Sequence, residues 1–229
     1  MKRLIGTAIL ALSLALPTAA AAQTDEQARI TEATKVLAEI MAAEDQAVPR
    51  GLMEKAEAIA VFPSLLRAGF IVGGQHGRGI ISVRDPESGT WSAPAFLTIT
   101  GGSIGAQIGA QAVDLVLVVQ NRRGLEQLVR NQFRIGGDAA VSAGPVGRDV
   151  SAATDIQMRA QILSYSRSRG LFAGITLNGS TIRQDRDANE RFYGKPYRTP
   201  QIVFERLGGA PEPTAEWRAA LVKHAGGGQ

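Results

Sequence analysis

Apolar positions recur at two different spacings along this chain, and the change between them predicts the architecture. Between Thr24 and Asp45 the spacing is helical: Ile30, Ala33, Thr34, Leu37, Ile40 and Met41 fall on one stripe. Thr24 is placed to cap that helix, with Asp25 and Glu26 in its first turn. The opposite face carries Glu32, Glu39 and Glu44 beside Lys35, whereas a helix that seeks anionic lipid is rich in Lys and Arg there. The stripe is therefore expected to dock on the protein's own core. Pro49 opens a short helix to about Ala56, and Ala58–Phe62 leads into a sheet. From Gly69 to Val119 the period falls to two. Residues 69–85 and 89–100 read as a hairpin joined by Asp85-Pro86-Glu87-Ser88-Gly89. Residues 101–113 alternate Ile or Ala with Ser, Gly or Gln, which predicts a strongly bent strand whose glycines permit close approach or a bulge. Asp114–Asn121 continues it as a buried strand.

The second half begins with a turn at Asn121–Gly124 and a helix over 125–133, then extended chain over 133–150. Asn178-Gly179 lies between β-rich runs, a strong signal for a tight hairpin. Just upstream, Tyr165, Arg167, Arg169 and Leu171 share one face if residues 164–172 form a single strand. Asp185–Tyr193 predicts a short helix ahead of Gly194, 200–207 a closing strand, and Thr214 the cap of a last helix that frays into a glycine tail. With no long polar linker and no repeat of fixed period, the expected fold is a single α+β domain. It is a large, curved, mostly antiparallel glycine-rich sheet, able to close into a barrel, flanked by N- and C-terminal helices.

The first 22 residues change this picture, because they read as an address. Lys2 and Arg3 precede an apolar run from Leu4 to Leu16, and Ala20-Ala21-Ala22 offers a cleavage site before Gln23. The division expected is a signal peptide over 1–22 and a domain over 23–229, exported, and periplasmic if the cell is Gram-negative. The chain has no cysteine, which excludes lipoprotein anchoring, disulfides and thiol catalysis. The net charge of +4 falls to +2 without Lys2 and Arg3, so charge alone points to no partner. The identity of the cations is more telling: of 25 basic residues 20 are arginine, whose planar fork suits phosphate and carboxylate.

Catalytic chemistry is poorly supplied. His76 and His224 are the only histidines, no G-x-S-x-G elbow accompanies them, and no H-x-x-x-H pair offers zinc a site. A cation cage from Asp138, Asp149 and Asp155 matches no known loop spacing. The glycine-rich 73–79 stretch runs into a strand rather than the helix a nucleotide loop requires. Aromatics are 5% of residues and the basic residues are dispersed, which argues against nucleic acid. Asp114 and Asp138 stand out as charges in apolar, small-residue stretches that need partners, with Arg134 and Arg148 the candidates.

Several motifs in order then carry a family resemblance. They are AIAVFP (58–63), GFIVGGQHGRG (69–79), residues 91–119, GLEQL (124–128), GGDAAVSAGPVGRD (136–149) and YSRSRGLFAGITLNG (165–179). Together they resemble the SYLF family of lipid-binding domains across a core of about residues 30–205. The resemblance implies phospholipid binding, to phosphoinositides in eukaryotic members, with no catalytic residues and no cofactor. The residues themselves place Arg148, Arg167 and Arg169 as phosphate donors, with Tyr165 and Leu171 as apolar neighbours. The expected function is non-catalytic binding of anionic phospholipid, with phosphatidic acid or phosphoinositide-like head groups, at the envelope membrane. The alternatives are an envelope scaffold and, less favoured, a hydrolase using His76.

Overall fold

The computed structural model describes residues 19–43, 48–138, 141–145, 160–168, 171–172, 175, 177–209, 211 and 214–227. Its spine is a pair of very long strands, β1 (Ala58–Val83) and β2 (Ala95–Val119), antiparallel throughout. The turn joining them is the expected one. Asp85 accepts hydrogen bonds from the backbone N–H groups of Glu87 and Ser88 and from the Ser88 hydroxyl, which hold its carboxyl below the usual range. A flat strand of 25 residues would run about 80 Å, roughly twice the diameter of a domain this size. The ribbon must bend, and β1 slips register against β2 twice, at Phe62/Leu65 and at Gly69/Ile71.

The other edge of β2 is shared by two strands. β7 (Thr181–Gln184) pairs with Leu97–Thr100, and β5 (Ile162–Ser168) pairs with Asp114–Val119. β3 (Gln132–Arg134) extends the sheet beyond β7. β4 (Val141–Ala143) and β6 (Leu171–Phe172) both pair with β5, β4 in parallel and β6 antiparallel. The seven described strands thus form one mixed, mostly antiparallel sheet that curls into a half-barrel. The two arms of β1 come into contact: a Cβ at Gly77 would lie 3.3 Å from the Leu65 Cα, and one at Gly79 would overlap the Val61 carbonyl oxygen. Only glycine fits there.

Six described helices accompany the sheet. α1 (Ala19–Met41) and α6 (Thr214–Ala225) pack together over its outer face, with α2 (Arg50–Glu54) and α4 (Arg186–Tyr193) beside them. The α1 stripe is buried as the spacing predicts: Ile30, Ala33, Leu37 and Ile40 are at most 1% exposed, with Val36 added. Burying each of the large side chains stabilises the docking by about 1.5–3 kcal/mol. These residues meet Ile59, Val61, Ile80, Phe96, Val116 and Val118. The alternate positions of the same strands, Ala60, Phe62, Ile81, Leu97, Leu115 and Leu117, fill the concave side. There they meet α3 (Arg122–Leu128), whose cap is Asn121, and α5 (Thr199–Val203).

Five local expectations need correction. The helix expected over 125–133 spans Arg122–Leu128, and residues 132–134 form β3 instead. α1 extends upstream of Thr24, because the alanines before it are the best helix formers. Residues 199–203 form a helix and not a closing strand: Pro200 suits a helix start, and the Gln201 side chain accepts from the Arg198 N–H. The turn at Asn178-Gly179 forms, with Gly179 at φ +83°, but β7 pairs with β2 and β3, and β6 with β5. The last helix is docked and not frayed. Trp217 is fully buried and donates its indole N–H to the Ser82 hydroxyl at 2.8 Å. His224 on that helix is half-buried, and burial, Lys223 and Arg50 hold its pKa below the ordinary value.

Candidate functional site

The sheet face beneath α1 can be followed outward pair by pair along β2 and β5. Val118 stands opposite Leu163, Val116 opposite Tyr165, and Asp114 opposite Arg167. The first two pairs are buried under α1. Tyr165, 1% exposed, packs its ring so closely over Gly144 that a Cβ there would overlap it. Its hydroxyl finds no hydrogen-bond partner among the described residues, and burial pushes its pKa well above the usual tyrosine value. Tyr165 therefore forms the floor of this region and does not face solvent.

Arg167 comes next, and here the helix layer ends. Its side chain is 14% exposed, and its guanidinium pairs with Glu39 from the last turn of α1 and lies 4.0 Å from the Asp114 carboxylate. Its Nε has no hydrogen-bond partner among the described residues. Asp114 in turn accepts a hydrogen bond of 3.0 Å from the backbone N–H of Ser64, a residue at φ +50° in the first bulge of β1. The charge in the apolar strand is thus satisfied by Arg167 and by the bulge, and not by Arg134. Asp138 also differs from expectation. It accepts from the Arg134 backbone N–H at 2.6 Å, a turn contact.

Beyond Arg167 the same face continues uncovered. Leu66 pairs with Ala112 and Ala68 with Ala110, and all four are exposed, Leu66 at 59%. Arg67 and Gln111 occupy the alternate positions, and Gln111 donates to the Ser168 hydroxyl at 2.7 Å. Arginine thus marks the line where buried apolar surface becomes exposed apolar surface. No sequence pattern announces Glu39 as a partner of Arg167, because 128 residues separate them. The exposed strip does have a signal. Residues 65–77 and 100–113 hold one arginine, one histidine and not a single carboxylate.

The expected site residues are only partly brought together. Tyr165 and Arg167 share a face, as read from their spacing. Leu171 does not continue that strand: it lies on β6, antiparallel to β5, in register with Ser168. The chain has reversed by Leu171, so the four-residue stripe from 165 to 171 does not exist as one strand face. Arg148 and Arg169 lie outside the described residues, as do Asp149 and Asp155.

A second feature lies at the other end of α1. A cleft of about 320 Å³ opens between Asp25, Arg29 and Glu32 of the helix and Ser64, Leu66, His76 and Arg78 of the ribbon. Its rim pairs, with Arg78 to Asp25 at 2.9 Å; Arg29 bonds Asp185 at 2.9 Å and stacks on Phe96. His76 is exposed and makes no side-chain hydrogen bond to a described residue, so neither Ser64 nor Asp25 orients it as a base. Among the described residues no three His, Asp or Glu converge to hold a metal. Nor is any described helix long and apolar enough to cross a membrane, which says nothing of strands.

Comparison with known proteins places the chain. A family model described as Ysc84, "Las17-binding protein actin regulator", matches residues 100–223, from β2 through α6. The rat SH3 domain-containing YSC84-like protein 1 is 35% identical over 170 residues, 74% of this chain and 48% of that protein. LAS seventeen-binding protein 3 of Saccharomyces cerevisiae is 34% identical over 166 residues, 71% of this chain and 36% of its own length. Protein YSC84 of the same yeast is 33% identical over 166 residues, 71% of this chain and 35% of that protein. The chain thus spans about half the length of the mammalian relative and about a third of the yeast ones, of which LAS seventeen-binding protein 3 is named for binding. By the family match and these identities, the chain belongs to the Ysc84 (SYLF) family.

Proposed function

We propose that this chain binds anionic phospholipid without catalysing a reaction, and that it does so as an exported protein at the periphery of a membrane. The observation that carries the proposal is the position of Arg167, on the same sheet face as the exposed Leu66, Ala68, Ala110 and Ala112 and immediately inside them. A phospholipid presents a phosphate directly above apolar chain, and this face presents a guanidinium directly beside apolar surface. Arg148 and Arg169 are proposed to add donors, with Leu171 adding apolar contact, and Tyr165 supports the floor on which Arg167 rests. Cleavage after Ala22 would leave intact the buried stripe that docks α1, which starts at Ile30.

Glu39 gives the proposal a signed test. It holds the guanidinium that a phosphate would take, so carboxylate and lipid compete for one set of donors. Replacing Glu39 with Gln is expected to strengthen binding to phosphatidylglycerol vesicles about threefold, and Arg167→Gln to weaken it about tenfold. Binding to phosphatidylcholine should change little in either variant. Arg167→Gln also leaves Asp114 and Glu39 without their counter-charge, so its melting temperature must be measured alongside. Two folded variants with wild-type preference for anionic vesicles would show that Arg167 is purely an internal tie.

A further inference from the structure

Between Thr100 and Asp114 the outer edge of β2 has no strand partner among the described residues: β7 stops at Thr100 and β5 begins at Asp114. Over this stretch β1 is the one strand partner of β2 among the described residues. Its sharpest irregularity falls there as well. Gly69 pairs with Gly109 and Ile71 with Gly105, so Ala106, Gln107 and Ile108 stand opposite the single residue Phe70. Three residues against one bend the ribbon at that point. Around the bend the sequence supplies Phe70, Ile71 and Val72 on β1 and Ile104, Ala106 and Ile108 on β2, with no charged residue among 68–75 or 101–113. Below it, one face shows Leu66, Ala68, Ala110 and Ala112, and the alternate positions carry Arg67 and Gln111.

This ribbon is amphipathic at its base, apolar at its bend and free of carboxylates over 65–77 and 100–113. An exposed loop that only needs to stay soluble has no reason to exclude acids over so long a stretch. A surface that approaches negative charge does, because each carboxylate would be repelled and would cost free energy to desolvate. Arg67, at an alternate position of the same ribbon, is the one arginine of the stretch and adds positive charge where it approaches head groups. We infer that the bend of the β1–β2 ribbon is the part of this protein that enters the bilayer, lodging at the boundary between head groups and acyl chains of an anionic membrane. The inference rests on the lipid reading above and adds to it the element that inserts. The Arg167 corner then lies at head-group level and the bend below it.

The two native tryptophans make the test clean. Trp91 and Trp217 are 3% and 0% exposed, so neither should respond to lipid. A Leu66→Trp reporter in the full chain should shift to shorter emission wavelength on vesicles of phosphatidylcholine and phosphatidylglycerol, and be quenched by bromine placed high on the acyl chains. Leu66→Asp, at an exposed position the fold tolerates, should bind those vesicles about tenfold more weakly with an unchanged melting temperature. Vesicle binding with unshifted emission and an undiminished Leu66→Asp variant would overturn the inference and leave the lipid reading standing. No vesicle binding by the wild-type chain would overturn both. A shift without lipid that grows with protein concentration, matched by a dimer in sedimentation that Leu66→Asp abolishes, would show that the bend pairs with a second copy, and would overturn it also.

Discussion

Replacing Trp217 with alanine is expected to cost about 3–5 kcal/mol of stability and lower the melting temperature by roughly 10 °C. Trp217 is the largest fully buried side chain, and it sits where α6 meets the outer core shared with α1. The substitution leaves a cavity under two helices at once. It also strips the buried Ser82 hydroxyl of the indole N–H that satisfies it. Trp217→Phe separates the terms, since the ring is largely kept and the hydrogen bond lost; a cost near 1–2 kcal/mol is expected there. Chemical denaturation of both variants checks this. A Trp217→Ala loss below 1 kcal/mol would mean that the C-terminal helix is not part of the folded core.

Gly79→Ala is the second large effect, with an expected loss of about 3 kcal/mol or failure to fold. The added methyl meets the carbonyl oxygen of Val61 and the ring of Phe62, and the backbone atom cannot swing aside as a side-chain end could. What would be lost is the contact between the two arms of β1, which closes the half-barrel. Gly51→Ala is the control. Gly51 sits in α2 with nothing near the new methyl, so the same change there should stabilise by about 0.5–1 kcal/mol through helix propensity alone. Equal and small effects at the two positions would mean that the arms of β1 do not touch.

Much of this architecture was legible because its causes are local. The α1 stripe, the Asp85 turn, the short helix opening at Asp185 and the bent glycine strand each follow from residue types at fixed spacing. The failures share a different cause. Residues 200–207 are a short apolar run whose periodicity cannot separate helix from strand, and the start residue Pro200 was the better signal. The stripe from Tyr165 to Leu171 assumed one strand where the chain reverses, and Gly170 was the warning. The bond between Arg167 and Glu39, the contact of Asp114 with the Ser64 bulge and the burial of Tyr165 are tertiary facts. They depend on which face of the sheet α1 covers and where its last turn stops. Sequence spacing identified Arg167; only the fold shows that its guanidinium is already held, and that apolar surface begins just outside it.

Anionic lipid binding is read out by equilibrium titration of the wild-type chain, residues 23–229, with vesicles of phosphatidylcholine with and without phosphatidylglycerol or phosphatidic acid, at low and raised salt. Binding to the anionic vesicles is expected to be at least tenfold tighter, weakened but not abolished by salt, since screening removes the charge attraction while the apolar contact of the ribbon remains. Equal affinity for neutral and anionic vesicles, or no measurable affinity for either, would contradict it.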